Sequence, residues 1–423
     1  MNDKHRSVLL SFRVGAAARR GAPAAPLPRD ASAFHRDLKA MVRAHFRGRG
    51  RFAHKASAGH FARMGAVGAG YAYCLYAGWW RGDARLAAPL GVCAWFVLAN
   101  LAHDGSHCAV AASGRANELW ALTGAPLLTS WASWYLQHCA SHHLHTNEPA
   151  EDVDVTHHPM CRWHRSSDPP LFARALTGAR NLAWHATAGL VATANMSLVH
   201  PWKFVLEPVL RTRVLGQKLA PIFGADNEAF AAAEKAAGRH VEHELSFFRV
   251  AGRVHERGLF AHGSRLGLAL GSWLAAVLFV VVPFARFGAS RQASALTLGP
   301  YAVTSVIFFV VTQVSHVQEA CQQPRTTANP DFLARQALTS LDYSAESRVW
   351  GFLTGGLNTQ SLHHVMPGVC SCHYAELYPK FFEICVKHDC APARATGGLL
   401  GAFGSHLRHI YNLGELYNGP EHE

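Results

Sequence analysis

Histidine is the residue type whose spacing most directly indicates chemistry in this chain. It makes up 28 of the 423 residues, and imidazole is the commonest side-chain metal ligand. His103 and His107 are four residues apart, so they share one face of a helix. His138 and His142 repeat this spacing, whereas the adjacent His143 points about 100° away.

Further candidate ligands lie near the carboxyl end. His363 and His364 diverge around a helix in the same way, and Gln360 comes one turn before them. His316 stands alone between the two regions. Helices that offer imidazoles in different directions could hold two metal ions rather than one. Such a shell suits iron, copper or zinc, of which zinc takes only three or four ligands.

Apolar runs are the elements that must position these histidines. At about 1.5 Å per residue the first two runs are slightly short for a membrane, and the last two are long enough. Short connections pair them into two hairpins, which puts all the histidine groups on one face; buried helices of a soluble enzyme are the alternative. Two further stretches, Leu119–Leu136 and Leu182–Val199, are interpreted as interfacial or re-entrant. The four runs are Met64–Trp80, Leu86–Ala102, Leu266–Ala285 and Leu296–Val314.

Composition agrees with a membrane protein and excludes a disordered chain, because 49% of the residues are hydrophobic and only 16% are charged. Up to Arg63 the chain has 14 Lys and Arg against 3 Asp and Glu, so the histidine face is predicted to lie in the cytosol or stroma. We predict an all-α polytopic membrane protein with four transmembrane helices in two hairpins and a helical cytosolic cap. The ten cysteines show no framework spacing and are expected to be reduced and structural.

The order of these motifs resembles that of the membrane fatty-acid desaturases, and most closely their front-end acyl branch. The first motif is His103-Asp-Gly-Ser-His107, and the second ends at His142-His143 before Asn147 and Asp152-Val-Asp154. The third begins with Gln rather than His, within Gly356-Leu-Asn-Thr-Gln-Ser-Leu-His-His-Val-Met-Pro367. Two departures are the three residues between His138 and His142, where close relatives have two, and Leu362, where Glu is common.

The resemblance implies two non-haem irons that activate O2 and remove two hydrogens from a lipid acyl chain. It implies that eight histidines bind the irons, with Gln360 as a weak ligand or a neighbour of the ligands. A second set of residues is expected to orient the imidazoles or cap helices, and three basic residues are candidate contacts for a phosphate headgroup or CoA, with solvated surface charge as the alternative. The iron ligands are His103, His107, His138, His142, His143, His316, His363 and His364. The orienting set is Asp104, Asn147, Asp152, Asp154 and Asn358, and the basic residues are Arg162, Arg165 and Lys203.

Several alternatives stay open on the sequence alone. A sphingoid-base desaturase or a lipid hydroxylase would use the same scaffold, and a zinc-binding receptor or transporter is the alternative from another class. The haem motif His-Pro-Gly-Gly does not occur, so no fused cytochrome b5 domain is expected, and cytochrome b5 or ferredoxin would be a separate electron donor. Nucleic acid is not an expected partner. We expect an endoplasmic reticulum protein, with a plastid membrane as the alternative, divided into a basic segment (1–63), a desaturase domain (64–390) and a tail (391–423).

Overall fold

The computed structural model describes residues 32–128, 134–148, 152–156, 160–166, 176–201, 263–323 and 329–416. Within these ranges the regular elements are helices, apart from two strands of two residues each, which pair in parallel. The predicted all-α class therefore holds for nearly every element. The helices are α1 Ala33–His45, α2 Ala58–Tyr73, α3 Ala87–Val97, α4 Gly114–Leu122, α5 Tyr135–His142, α6 Val153–Thr156, α7 Gly178–Ala194, α8 Gly263–Phe287, α9 Arg291–Gln313, α10 Phe332–Leu338, α11 Arg348–Thr354, α12 Gln360–Val365, α13 Tyr374–Lys387 and α14 Gly398–Gly414. The strands are β1 Leu341–Asp342 and β2 Ala393–Arg394.

Three helices among the described residues are long and apolar enough to cross a membrane. They correspond to the second, third and fourth predicted runs. The first run, Met64–Trp80, is also helical, but glycine, tyrosine and tryptophan dilute its hydropathy. The four-span arrangement is therefore only partly reproduced. The three spans are Ala84–Ser106, Gly267–Phe287 and Arg291–Gln313.

Wide π-helical turns occur in four of the helices. α2, α3 and α7 each continue through a π-helical segment, and α5 is π-helical along its length. Such turns hold about one more residue than an α-helical turn and often mark functional sites. Two of these segments lead directly into histidine groups. The continuations are Cys74–Trp80 after α2, Leu98–Ala102 and His103–Ser106 after α3, His143–His145 after α5 and Asn195–Val199 after α7.

The connections that follow α2 and α8 lie together at one end of the helices. The guanidinium of Arg286 lies 4.1 Å from the centre of the Trp80 ring, and the side chain of Gln292 donates to the carbonyl of Gly82 over 2.6 Å. His103 lies at the other end of the helix that continues α3, and His316 follows the end of α9. The histidines and these connections are thus at opposite ends of the spans.

Apolar side chains fill the space between the spans and the histidines. Trp95 and Leu98 from α3 pack with Trp134, Phe308 and Leu357 in one buried cluster. At about 25 cal/mol for each Å² of apolar surface removed from water, burial of large aromatic rings contributes strongly to holding these elements together. This cluster packs against a histidine-bearing segment, because the Trp134 ring stacks on His138.

The segments on either side of the central region pack onto it. Phe34 and Leu38 of α1 are buried against Phe381 of α13. Residues Gly398–Gly414 form helix α14 within the predicted tail, and α14 packs against α7. The approach is close enough that a Cβ atom on Gly178 would lie 2.7 Å from the Tyr411 ring. The division at residues 63 and 390 stays a prediction.

Candidate metal centre

Four separate segments bring the predicted histidines into one buried site. The continuation of α3 carries His103, His107 follows its last residue, and the turn after α9 carries His316. α5 and its continuation carry three more histidines, and α12 carries two together with Gln360. All except the partly buried His107 are buried. Potential ligand atoms within these histidines fall into several closely spaced sets. Two of these sets share no member and form the basis of the first and second histidine groups.

The first histidine group is centred on His138. Its Nε2 atom lies 3.1 Å from that of His103 and 3.0 Å from that of His107. The Nε2 atom of His143 lies 3.2 Å from that of His138 and 3.1 Å from that of His363. A ring nitrogen has either one proton or one lone pair, so His138 Nε2 can form only one hydrogen bond among its three neighbours. A cation shared by all five rings satisfies every lone pair at once.

The spacing within this group matches the separation of metal ligands. At a metal–nitrogen distance of about 2.1 Å, ligands 90° apart lie about 3.0 Å from each other, and tetrahedral ligands lie about 3.4 Å apart. The measured separations of 3.0–3.2 Å agree with the smaller angle. The donor set therefore fits an ion with more than four ligands better than a tetrahedral zinc ion.

The second histidine group consists of His142, His316 and His364, whose ligand atoms all lie within 4.8 Å of one another. Gln360 joins it, because its Nε2 atom lies 2.8 Å from Nε2 of His316. Within the described part of the chain, Nε2 of His364 and Oε1 of Gln360 are buried without a hydrogen-bond partner. A buried polar atom without a partner costs about 1–3 kcal/mol, so the group has the donors that a bound cation would need.

Hydrogen bonds fix the orientation of all three rings in the second group. The Nδ1 atom of His142 lies 3.2 Å from both carboxylate oxygens of Asp152. Nδ1 of His316 donates to the carbonyl of Thr339 over 3.1 Å, and Nδ1 of His364 lies 2.8 Å from Oε1 of Gln336. Because these partners are acceptors, Nδ1 carries the proton and Nε2 keeps its lone pair for a metal.

Burial keeps most of these imidazoles neutral, which is the form that binds metals. Burial lowers the pKa of His316 to about 3, with a further contribution from His142. For His142 itself, burial lowers the pKa, but Asp152 and Asp154 together outweigh it and raise the pKa. The histidines whose pKa is lowered well below its usual value, by burial first and then by neighbouring histidines, are His107, His138, His143, His363 and His364.

Of the five residues expected to orient imidazoles, only Asp152 and Asp154 lie close enough to accept a hydrogen bond from a ring nitrogen. Asp154 joins Asp152 at His142, with an oxygen 3.4 Å from Nδ1. Asp104 approaches Nδ1 of His103 only to 3.7 Å, and that nitrogen has no hydrogen-bond partner in the described part of the chain. In the described structure, Asp104 therefore does not accept the expected hydrogen bond from His103.

The two asparagines of the expected set hold the main chain. Asn147 donates to the carbonyl of His316 over 3.1 Å, and its own N–H donates to Asp152 over 2.8 Å. Asn358 donates to the carbonyl of Ser344 over 3.0 Å and accepts from Thr354 over 3.1 Å. Asn147 therefore positions the main chain at His316 and the carboxylate of Asp152. In the described structure it contacts no imidazole N–H.

Of the three basic residues predicted at the headgroup, Arg162 and Arg165 lie among the described residues. Arg162 is fully buried and donates to the carbonyl of Leu413 over 3.0 Å. Arg165 is exposed. Lys203 lies outside the described residues. The location of Arg162 gives no support to a headgroup contact, and that contact stays a prediction for Arg165 and Lys203.

Several residues of the site have no recognisable motif. Gln336 and Thr339 supply the acceptors for His364 and His316, and the Trp134 ring stacks on His138 with 4.2 Å between ring centres. Every residue has a backbone carbonyl, so the sequence does not show that the carbonyl of Thr339 is the acceptor for His316. A glutamine on the buried face of a short helix could have been noticed, since a buried polar side chain needs a partner.

A cavity of about 110 Å³ lies against both histidine groups. His103, His138, His142 and His316 reach it on one side. Its remaining wall is largely apolar and aromatic and comes mainly from α3, α7 and α9. Wall residues include Trp95, Leu98, Ala188, Ala192, Met196, Phe308 and Phe309. A largely apolar wall beside the ligand atoms suits a hydrophobic part of a ligand.

Comparisons with known proteins agree with this site. The sequence model of the family described as "Fatty acid desaturase" matches residues 78–394, so the chain belongs to the fatty acid desaturase family. An "Acyl-lipid omega-13 desaturase" from Chlamydomonas reinhardtii is 32% identical over 94% of this chain and 75% of its own length. An "Acyl-lipid (8-3)-desaturase B" from Dictyostelium discoideum is 24% identical over 100% of this chain and 83% of its own length. An "Acyl-lipid (7-3)-desaturase, chloroplastic" from Chlamydomonas reinhardtii is 25% identical over 99% and 72%.

Membership of this family confirms the resemblance inferred from the sequence motifs. The chain is an enzyme, an oxidoreductase that desaturates lipid acyl chains. The receptor or transporter alternative is not favoured, because neither the family nor these relatives belong to that class.

Proposed function

We propose that this desaturase uses two non-haem irons, one in each histidine group, together with O2. The observation that carries the proposal is the position of His138 Nε2 within 3.2 Å of three other Nε2 atoms. The first iron would take His103, His107, His138, His143 and His363. The second would take His142, His316 and His364, with Gln360 beside it.

Iron fits these donors better than zinc. Imidazole nitrogen suits iron, copper and zinc alike, but the first group offers five nitrogens, and a structural zinc ion takes four ligands. The separations of 3.0–3.2 Å also favour higher coordination. In the second group, a rotation of the Gln360 amide about its last bond would turn Oε1 toward the site, as amide oxygen and nitrogen exchange places.

Bound iron would supply the activation of O2 and the oxidation of unactivated C–H bonds, which side-chain acid–base chemistry cannot perform. The residues of the chain would hold and orient. Asp152, Thr339 and Gln336 keep the Nδ1 protons in place, so that each Nε2 lone pair stays available. The apolar cavity wall would hold the acyl chain and exclude water.

The overall reaction also requires reductant. Removal of two hydrogens from a CH2–CH2 unit and reduction of O2 to two waters consumes two protons and two electrons. We infer that the electrons come from a separate protein, cytochrome b5 or ferredoxin. Both would have to reach the face on which the histidine segments lie.

Four spans in two hairpins are proposed for the membrane topology. The helix Ala58–Trp80, formed by α2 and its continuation, would be the fourth span beside the three apolar ones. The contacts of Trp80 with Arg286 and of Gly82 with Gln292 support this, because they bring the two connections to one end. The histidine face would then be cytosolic in an endoplasmic reticulum protein, or stromal in a plastid protein.

Front-end desaturation of an acyl chain is the proposed reaction type. Gln360 at the start of the third motif supports it, as do relatives named as (8-3) and Delta(5) desaturases. A sphingoid-base desaturase or a lipid hydroxylase on the same scaffold is the second candidate. The relative named as an omega-13 desaturase means that the position of the double bond has to be measured.

Expression in yeast tests the proposal. Cells would be fed a panel of fatty acids, and new double bonds would be located by mass spectrometry of the lipids. The proposal expects one new double bond at a fixed position with the native chain and none with His138→Ala. His388→Ala is the matched control, because His388 contacts Asp37 outside both histidine groups. A hydroxylated product would favour the second candidate, and activity retained in His138→Ala would refute the role of the first group.

A further inference from the structure

A third set of potential ligands lies outside the two histidine groups. His60, Cys370 and Cys372 bring one nitrogen and two sulfur atoms within 4.8 Å of one another. His60 lies in the first turn of α2, which Ser57 caps by accepting from its N–H over 3.1 Å. The two cysteines flank Ser371 in the turn that leads into α13. Donors from two distant parts of the chain therefore meet at one point.

The orientation of His60 leaves one nitrogen free for a metal. Its Nε2 atom lies 3.0 Å from the carbonyl of Asn100. A carbonyl only accepts, so Nε2 carries the proton and Nδ1 keeps its lone pair. A metal-binding histidine typically has this arrangement, in which the other ring nitrogen donates to a carbonyl and fixes the ring.

Both cysteines are free thiols. Cys370 is fully buried, and its Sγ lies 3.2 Å from a carboxylate oxygen of Asp104. Cys372 is less buried, and its Sγ lies 4.0 Å from Oγ of Ser57. A buried thiol that faces a carboxylate gains little from deprotonation unless a cation is also present.

The charges around the three donors can accommodate a divalent cation. Lys55 is buried close by and donates to the carbonyls of Cys108 and Gly368 over 2.6 Å and 3.0 Å. Two thiolates and the Asp104 carboxylate would carry three negative charges in this buried region. Lys55 and one divalent cation would balance them, which avoids the large cost of an uncompensated buried charge.

We propose that His60, Cys370 and Cys372 bind a zinc ion that fastens the start of α2 to the segment after the third histidine motif. Thiolate and imidazole ligands favour zinc over the harder cations. At Zn–S of about 2.3 Å and Zn–N of about 2.0 Å, tetrahedral ligands lie about 3.5–3.8 Å apart, which the 4.8 Å limit on the donor atoms accommodates. Zinc is not redox-active, so this ion would take no part in the oxidation and would be separate from the irons.

Metal analysis of the full-length protein, purified in detergent, tests this site. The native protein is expected to contain about one zinc per chain besides its iron. The double variant Cys370→Ser with Cys372→Ser is expected to lose the zinc and to keep the iron. The matched control is Cys385→Ser with Cys390→Ser, because these two are also free and buried and belong to no ligand group among the described residues. The control should keep both metals.

A labelling experiment on the native chain does not depend on the folding of a variant. Metal-free protein would be treated with iodoacetamide, with and without added zinc chloride alone. Zinc is expected to reduce the labelling of Cys372, which is only partly buried, at least tenfold. Equal labelling of Cys372 in both samples, zinc retained in the Cys370/Cys372 variant, or native protein with iron but no zinc would each overturn the site. Iron content and desaturation report on the proposed function independently of these results.

Discussion

Nε2 of Gln360 lies 2.8 Å from Nε2 of His316, although 44 residues separate them along the chain. This contact connects the glutamine that begins the third motif to the one predicted ligand that lies outside the three motifs. Both side chains are buried and border the cavity.

Gln360→Ala is expected to lower the desaturation rate by roughly 10- to 100-fold, the usual effect of losing a residue that supports a metal ligand. The substitution removes the amide that contacts His316, but it leaves the three imidazoles of the second group in place. Product formation in yeast lipids measures the effect. A rate equal to that of the native enzyme would show that Gln360 has no part in the site.

His316→Ala is expected to abolish activity as completely as His142→Ala. The two rings belong to the same histidine group, and their centres are 4.5 Å apart. Loss of either leaves the second iron with too few ligands. Lipid analysis of yeast that expresses each variant provides the comparison, with His388→Ala as the active control. Product formation by the His316 variant would remove this residue from the metal shell.

Asp152→Asn is expected to weaken iron binding about 10- to 100-fold. The amide has less charge to hold the Nδ1 proton of His142, and an NH2 group turned toward Nδ1 would repel it. Iron retained after dialysis against graded chelator concentrations gives the measurement. Asp37→Asn is the matched control, since Asp37 pairs with Lys387 far from the histidines along the chain. Equal iron retention in both variants would exclude an orienting role for Asp152.

Ala192→Phe should reduce desaturation of long acyl chains by roughly 10-fold or more, because the added ring occupies space that the chain needs. Ala192 lines the cavity. Leu190→Phe on the same helix is the control, because Leu190 is exposed and does not line the cavity. Iron content should be native in both. Full activity of Ala192→Phe on every chain length would show that the acyl chain binds elsewhere.

The sequon Asn195-Met-Ser197 should carry no glycan in yeast, because the proposed topology puts this segment on the cytosolic side. In addition, the Asn195 side chain contacts His200 at 3.0 Å and borders the cavity. An unchanged electrophoretic mobility after glycosidase treatment is the expected result. A mobility shift would contradict the topology.

Sequence spacing predicted that the eight histidines act together, but not how they divide between the first and second histidine groups. His138 and His142 were expected to share a face as residues four apart on an α-helix. The segment is π-helical, and in its wider turn a residue lies closer to the fifth residue after it. His138 therefore meets His143, at 3.2 Å, whereas His142 belongs to the second group. No residue in this segment signals a π-helix by type.

The partners of the ligands were the least predictable part of the site. Asp104 follows a histidine and Asn358 lies within the third motif, yet they hold Ser371 and Ser344 instead. The acceptor of His364 comes from Gln336, which is 28 residues away. Such contacts arise only when helices pack, as does the meeting of His60 with two cysteines. The apolar spans, by contrast, depend on local composition, and three of the four predicted from it are long and apolar enough to cross a membrane.

Iron content of the purified full-length protein tests the central claim most directly. We expect about two irons per chain, in line with the two histidine groups, falling well below that value in His138→Ala and in His316→Ala but not in His388→Ala. A native protein that desaturates lipids yet contains no iron, or keeps its full iron content when both His138 and His316 are replaced, would contradict the account.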